Sequence, residues 1–181
     1  MARVLVPMAD GVEEIEAVII IDTLRRAGWD VVSAGLHPGT ITASRGVQLV
    51  PDTTWDAIDI DTFDIIALPG GASGAEALKT HPGVMAALRR HAASGKITAA
   101  ICAAPLVLQE AGLLAGKSAT CHPSLQNQLT SAEVQANRVV RDGVIITSQG
   151  PGTAFEFALT LVALVDGPQS ADHLRSAMVL K

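Results

Sequence analysis

The sequence predicts an α/β fold in which helices cover both faces of a mostly parallel central sheet. Short apolar runs such as RVLVPM and FDIIALPGG have the length of buried strands. Segments of helical period separate them, and the first of these begins with acids and ends with arginines and a glycine. Strands that alternate with helices are typical of a parallel sheet between two helical layers. A chain of 181 residues without a repeat or linker is expected to form one domain over residues 1–181.

Several of the predicted elements begin or end at residues that are typical of a turn or of a helix start. Asp142 and Gly143 form a typical hairpin turn. Thr153 and Glu156 have the spacing of a capping box at a helix start. The predicted strands are 3–8, 29–35, 63–71, 97–102 and 118–123, with a hairpin or bulged pair at 40–52 and a hairpin at 137–150. The predicted helices are 11–28, 75–80, 84–94, 104–112, 153–165 and 170–178.

Composition and charge argue against several classes of function. The chain is 49% hydrophobic, yet no apolar run approaches the ~20 residues of a membrane span, and the N-terminus lacks the features of a signal peptide. A net charge of -5 with scattered basic residues, and an aromatic content of 3%, disfavour a nucleic-acid partner. Two cysteines without a CxxC motif fit a reducing compartment. We therefore expect a cytoplasmic protein with no membrane contact.

Cys102 lies where a predicted strand ends and a predicted helix begins. In open parallel sheets, sites form beyond the carboxyl ends of the strands. Proline is favoured in the first turn of a helix, so Pro105 indicates a helix start. The Cys102 sulfur is then expected near free backbone N–H groups and the positive end of the helix dipole. Such surroundings lower the pKa of a thiol and favour a reactive thiolate. The alternative is a core cysteine that packs as a small hydrophobic residue, and the residues alone leave both interpretations open.

Glu16 and His122 are the candidate partners of this sulfur. Glu16 is followed by the apolar run AVIII, and a carboxyl in such surroundings has a raised pKa and can move protons. His122 follows a short predicted strand and so reaches the same sheet edge as Cys102. The alternatives are a partly exposed first-turn acid and a solvated loop histidine. Cys121 is expected to point into the core rather than to resolve an oxidised Cys102. A zinc site is not expected, because a fourth ligand is missing.

The glycine-rich segments match nucleotide-binding motifs only in part. GGASG, residues 70–74, follows a strand but is not GxGxxG, and no acid stands at the distance that would hold a ribose. Its backbone N–H groups are suited to stabilising an oxyanion. GLLAGKS, residues 112–118, is one residue too short between its glycines for a P-loop and leads into a strand. Neither segment therefore predicts a nucleotide site.

Ordered motifs along nearly the whole chain resemble the ThiJ/PfpI superfamily, also called the DJ-one superfamily. They are GVEEIEAV, DTLRRAG, ASRGV, LPGGASGAE, AAICAAP, TCHP and TSQGPGTAFEFAL. The similarity is greatest to the branch of the human parkinsonism-associated protein and its bacterial relatives. It implies a flavodoxin-like three-layer sandwich with a nucleophile elbow, a homodimer, and neither cofactor nor metal. The implied site residues are Cys102 as nucleophile, Glu16 and His122 as its partners, and Gly70, Gly71, Ala103, Arg45, Pro151 and, less closely matched, Arg26 around the pocket.

Two differences from related branches narrow the implied activity. Ala103 stands where the protease-like branch has a histidine, and Ala100 and Ala104 replace the glycines of glutamine amidotransferases. The resemblance therefore implies a cysteine-dependent glyoxalase or deglycase that acts on methylglyoxal, related small aldehydes or their adducts. Cys102 would form the hemithioacetal and Glu16 would carry the proton. The alternatives are a redox-sensing stress protein or chaperone switched by oxidation of Cys102 to the sulfinate, and a structural dimer with a vestigial site.

Overall fold

A computed structural model describes residues 1–180 of the chain. Its strands are β1 (Arg3–Met8), β2 (Asp30–Gly35), β3 (Ile41–Thr42), β4 (Gln48–Leu49), β5 (Thr53–Thr54), β6 (Ile65–Leu68), β7 (Ile97–Ile101), β8 (Ser118–Ala119), β9 (Glu133–Val134), β10 (Val139–Asp142) and β11 (Ile145–Ser148). Its α-helices are α1 (Glu14–Arg26), α2 (Ala72–Thr80), α3 (Pro82–Ala93), α4 (Pro105–Glu110), α5 (Ala154–Asp166) and α6 (Pro168–Ala177). Within residues 1–180, no helix combines the length and apolar character needed to cross a bilayer.

The central sheet has seven strands in the order β10, β11, β7, β6, β1, β2, β5. All neighbours pair in parallel except β10 and β11, which form the antiparallel hairpin expected at Asp142–Gly143. Without the two-residue edge strand β5, the parallel strands β2, β1, β6, β7 and β11 stand in the order 2-1-3-4-5 of a flavodoxin-like sheet. The predicted α/β class and mostly parallel sheet are confirmed.

Helices cover both faces of this sheet, so its strands are apolar on both sides. Along β6, Ile65 and Ala67 belong to the core beneath α1, α5 and α6. Ile66 and Leu68 belong to the opposite core, beneath α2, α3 and α4. This period-two division explains why FDIIALPGG has no polar face. The result is a three-layer sandwich in which the carboxyl ends of the parallel strands lie along one edge of the sheet.

Two local predictions are wrong. The segment 118–123 does not extend the central sheet, because β8 has only two residues and pairs with β9 in a separate small sheet. The capping box is also absent from the start of α5. The Thr153 hydroxyl instead accepts from the Gly150 N–H at 3.0 Å, and the Glu156 carboxylate pairs with Arg138 at 2.7 Å. A short 3₁₀ turn, Pro151–Thr153, precedes the helix, and Thr153 occupies the N-cap position as predicted, so only the side-chain contacts of the capping box are wrong.

Candidate functional site

Cys102 sits on a sharp turn between β7 and α4, with a φ of 65°. This left-handed conformation costs a non-glycine residue about 1–2 kcal/mol. Two backbone hydrogen bonds hold it: the Cys102 N–H donates to the Ser148 oxygen at 3.0 Å, and the Cys102 oxygen accepts from the His122 N–H at 2.9 Å. The turn lifts the half-buried side chain out of the sheet edge. The geometry is that of the expected nucleophile elbow.

Glu16 is fully buried next to this elbow, in contrast to the partly exposed alternative. Its Oε2 accepts from the Gly70 N–H at 2.7 Å. Its Oε1 is buried and accepts no hydrogen bond from an N–H or hydroxyl group within residues 1–180. The Glu13 carboxylate caps α1 by accepting from the Glu16 N–H at 2.8 Å. The helix start therefore presents the Glu16 carboxyl to the protein interior beside the sulfur.

The protonation of Glu16 is coupled to that of Cys102. Burial raises the pKa of Glu16 to about 7, and hydrogen bonds from Gly70 and Cys102 offset only part of this effect. Burial raises the pKa of Cys102 to about 12; the charge of Glu16 adds to the rise, and the N–H groups of Gly71 and Ala103 oppose it. The predicted lowering of the Cys102 pKa is therefore wrong, because burial raises this pKa whatever the charge of Glu16. Protonation of Glu16 removes its charge but not the effect of burial, so a Cys102 thiolate forms more easily when Glu16 holds the proton than when Glu16 is ionised.

Gly70 and Gly71 play different parts in this arrangement. The Gly70 N–H is committed to Glu16, and the Gly70 oxygen accepts from the Glu13 N–H at 3.0 Å. Gly70 therefore does not supply the expected oxyanion contact. A Cβ on Gly70 would lie 2.6 Å from the Cys102 Cβ and 2.8 Å from Glu16 Oε2, so glycine lets the two side chains meet. The N–H groups of Gly71 and Ala103 face the sulfur and remain the candidate oxyanion donors.

An open cleft of about 690 Å³ lies over Cys102. Five of the other residues named from the sequence line it: Arg45, Gly71, Ala103, His122 and Pro151. The exposed Arg45 guanidinium donates only to the Ser44 oxygen, at 3.3 Å, and forms no ion pair within residues 1–180. Arg26 is not near this cleft in the protomer, because it lies at the end of α1 and pairs with Asp22 at 2.7 Å.

His122 is held at the site by a contact that its position in the sequence does not predict. Its N–H bond to the Cys102 oxygen, rather than a strand of the central sheet, brings it to the elbow. Its Nδ1 lies 2.8 Å from the Ser124 hydroxyl. Cys121 is fully buried in the core beneath α2, α3 and α4, as expected.

Sequence reasoning missed three polar residues that support the site. Glu13 caps α1, and Ser124 contacts His122. Glu14 accepts from the Ser44 hydroxyl at 2.7 Å and from the Arg45 N–H at 2.8 Å, which fixes the loop that carries Arg45. Acidic residues in the first turn of a helix are also explained by the helix dipole. The presence of Glu13 and Glu14 there therefore did not indicate their specific contacts.

Gly71→Ala is expected to destabilise the fold far more than the matched variant Gly28→Ala. Both glycines have positive φ, 92° and 81°, so left-handed strain of about 1 kcal/mol applies to each. At Gly71 a Cβ would also overlap the Gly11 oxygen and lie 2.6 Å from the Glu13 nitrogen, whereas nothing lies within 4 Å at Gly28. Overpacking adds about 1–3 kcal/mol at Gly71 alone. Urea unfolding measures both losses, and equal losses would show that the 11–13 loop yields to the methyl group.

Comparison with known proteins agrees with this geometry. Residues 2–164 match the model of the DJ-1/PfpI family. Protein dj-1beta of Drosophila melanogaster is 42% identical over 179 residues, which cover 97% of this chain and 96% of that protein. Glutathione-independent glyoxalase DJR-1.2 of Caenorhabditis elegans is 37% identical over 182 residues, covering 99% and 96%. The solved structure of Toxoplasma gondii DJ-1, oxidized, superposes with a TM-score of 0.95 at 41% identity and 99% coverage of each chain. The chain therefore belongs to the DJ-1/PfpI family.

Proposed function

We propose that this protein is a cofactor-independent glyoxalase that converts methylglyoxal and water to D-lactate in the cytoplasm. The observation that carries the proposal is the contact between an elbow cysteine and a fully buried carboxyl with a pKa of about 7. Such a carboxyl exchanges protons readily near neutral pH. The name of the Caenorhabditis elegans relative, a glutathione-independent glyoxalase, supports the same reaction class.

The proposed reaction begins at the sulfur. As the proton of Cys102 passes to Glu16, the sulfur adds to the aldehyde carbon; Glu16 then gives this proton to the carbonyl oxygen, which becomes a hydroxyl, and Glu16 is again a carboxylate. The N–H groups of Gly71 and Ala103 stabilise the developing oxyanion. The aldehyde carbon next loses its proton to the Glu16 carboxylate, which returns it to the neighbouring carbon, while the hydroxyl proton moves to the neighbouring carbonyl oxygen. This internal redox step turns the hemithioacetal into a lactyl thioester, and water then releases lactate and restores the thiol.

The same chemistry extends to deglycation. A hemithioacetal or aminocarbinol formed by methylglyoxal on another molecule presents the same two carbons to Cys102. The cleft is wide and open, so an attached group has room to remain outside it. Release of D-lactate from preformed adducts, after free methylglyoxal has been trapped, distinguishes this activity from the simple glyoxalase reaction.

The experiment that tests the proposal is D-lactate formation from methylglyoxal in buffer without glutathione. D-lactate is measured with a stereospecific dehydrogenase, and the protein thiols are counted before and after the reaction. We expect many lactate molecules per protein chain with Cys102 still reduced. No lactate from protein with an intact Cys102 thiol would refute the glyoxalase proposal.

A redox-sensing role is the second candidate. A half-exposed Cys102 lies beside a carboxyl with one unpaired buried oxygen, which, when protonated, can donate to a sulfinate. The Toxoplasma gondii relative has been solved in an oxidized form. Mass spectrometry after mild peroxide is expected to show two added oxygens on Cys102 and none on the buried Cys121. Equal oxidation of both cysteines, or of neither, would contradict a sensing role.

We further propose a homodimer formed through one apolar surface. Val18 of α1 and Val50, which follows β4, line one shallow groove and are 48% and 79% exposed. Exposed apolar residues grouped in this way are typical of protein interfaces. Sedimentation is expected to show a dimer that Val50→Asp converts to a monomer. Val179→Asp is the control, because Val179 is 86% exposed and does not line this groove.

A further inference from the structure

The imidazole of His122 has one ring nitrogen whose protonation state is defined by its contacts. The Ser124 backbone N–H donates to His122 Nδ1 at 3.3 Å. The Ser124 hydroxyl lies 2.8 Å from the same nitrogen. A backbone N–H can only donate, so Nδ1 provides a lone pair and the hydroxyl also points its hydrogen at it. The proton of the neutral imidazole is therefore on Nε2.

His81 provides an internal comparison for this contact. Its Nδ1 accepts the Val84 N–H at 3.2 Å, and it too precedes a proline that opens a helical turn. Both histidines act as N-caps, a role in which the side chain accepts from backbone N–H groups. Only His122 adds a hydroxyl to this contact, and only His122 lines the cleft over Cys102.

The second ring nitrogen of His122 is the one left for a ligand. No hydrogen bond within residues 1–180 uses Nε2. The backbone of His122 is tied to the elbow through its N–H bond to the Cys102 oxygen, and the Nδ1 side of the ring is tied to Ser124. A molecule bound in the cleft therefore meets an N–H donor rather than a basic nitrogen.

We propose that Ser124 is a positioning residue that holds His122 in the Nε2–H tautomer, so that the imidazole donates a hydrogen bond to the carbonyl oxygen of the substrate. The part that concerns the substrate rests on the proposed glyoxalase function. As the Cys102 sulfur adds to the carbonyl carbon, negative charge develops on that oxygen, and a neutral N–H donor stabilises it without first taking up a proton. Removal of the proton from carbon is left to Glu16, since His122 offers no basic nitrogen towards the cleft.

The tautomer is measured by long-range proton–nitrogen NMR correlation on protein labelled with nitrogen-15 in histidine, at a pH where the ring is neutral. In the wild-type protein we expect His122 Nδ1 to have the shift of an unprotonated nitrogen and Nε2 that of a protonated one. Ser124→Ala keeps the backbone N–H contact to Nδ1 and loses the hydroxyl, so the two shifts are expected to move part of the way towards each other; Ser124→Thr, which keeps a hydroxyl, is expected to restore them. Ser73→Ala is the matched control, because Ser73 also lines the cleft and makes no hydrogen bond to His122.

Two results would overturn the proposal: a wild-type His122 with its proton on Nδ1, or a tautomer that Ser124→Ala leaves unchanged. The His81 signals serve as an internal reference in every spectrum. For lactate formation, we expect Ser124→Ala to lower kcat about 10-fold with KM nearly unchanged, a part of the about 10²–10⁴ that a positioned proton donor contributes. The NMR result stands without any activity, so failure of the glyoxalase proposal and failure of the Ser124 proposal are distinguishable.

Discussion

Cys102→Ser is expected to lower kcat/KM for lactate formation by roughly 10³-fold or more, because a serine hydroxyl is a far weaker nucleophile than a thiol and the Glu16 carboxylate is too weak a base to ionise it. Serine is nearly isosteric with cysteine, so the elbow and its two backbone hydrogen bonds are kept. The loss is therefore expected in kcat, while the fold, judged by circular dichroism and unfolding, stays intact.

Cys121→Ala is the matched control for this substitution. Cys121 is fully buried, and burial raises its pKa to about 11, so it is not expected to react. Its loss leaves a small cavity that costs about 1 kcal/mol of stability and leaves lactate formation unchanged. Alkylation followed by mass spectrometry is expected to label Cys102 first in the wild-type protein. A Cys102→Ser variant with more than about a tenth of the wild-type rate would show that the sulfur is not the nucleophile.

Glu16→Gln is expected to stabilise the protein at pH 8 while removing most of its activity. The pKa of Glu16 is raised by burial from its ordinary 4.5 to about 7 in the folded protein. A raised carboxyl pKa means that the folded state prefers the protonated form, so the stability it contributes is present below pH 4.5 and is lost as pH rises through about 7. Wild-type stability is therefore expected to fall between about pH 5 and pH 8, by an amount on the order of 3 kcal/mol.

Glutamine carries no charge, so the variant does not show this fall. Its amide oxygen can still accept from the Gly70 N–H, and its NH₂ group faces the position of the unpaired Oε1. Lactate formation is expected to drop about 10²–10⁴-fold, because glutamine cannot carry a proton. Urea unfolding at pH 5 and pH 8 measures the stability of both proteins.

Glu14→Gln is the matched control, because Glu14 lies on the same helix and folding shifts its pKa in the opposite direction. Burial favours a higher pKa for Glu14, but hydrogen bonds from Ser44 and from backbone N–H groups outweigh it and lower the pKa. The ionised form of Glu14 is therefore favoured by folding, and Glu14→Gln is expected to destabilise the protein at pH 8. If Glu16→Gln also destabilised the protein at pH 8, the Glu16 carboxylate would be a stabilising ion rather than a costly one.

Local patterns were sufficient for the order of strands and helices, the hairpin at Asp142–Gly143 and the turn at Cys102. Each depends on neighbours within a few residues: apolar runs of strand length, a turn dipeptide, and a proline at a helix start. The two predictions that failed concern β8, which pairs with β9 instead of the central sheet, and the capping box, whose side chains contact Gly150 and Arg138 instead of each other's backbone. The sequence pattern indicated which residues form the site, but it did not indicate the role of each.

Taken alone, the amino-acid sequence determined an α/β sandwich with Cys102, Glu16 and His122 as the candidate site residues. Only the tertiary structure decided that the Gly70 N–H serves Glu16 rather than a substrate, across 54 positions of the chain. It also decided that burial beside a carboxylate raises the pKa of Cys102, whereas the local helix start favours a lower one. The physical reason is that burial and charge–charge coupling depend on what packs around a group, and here the packing partners come from β6, α1 and β7, which only the folded sheet brings together.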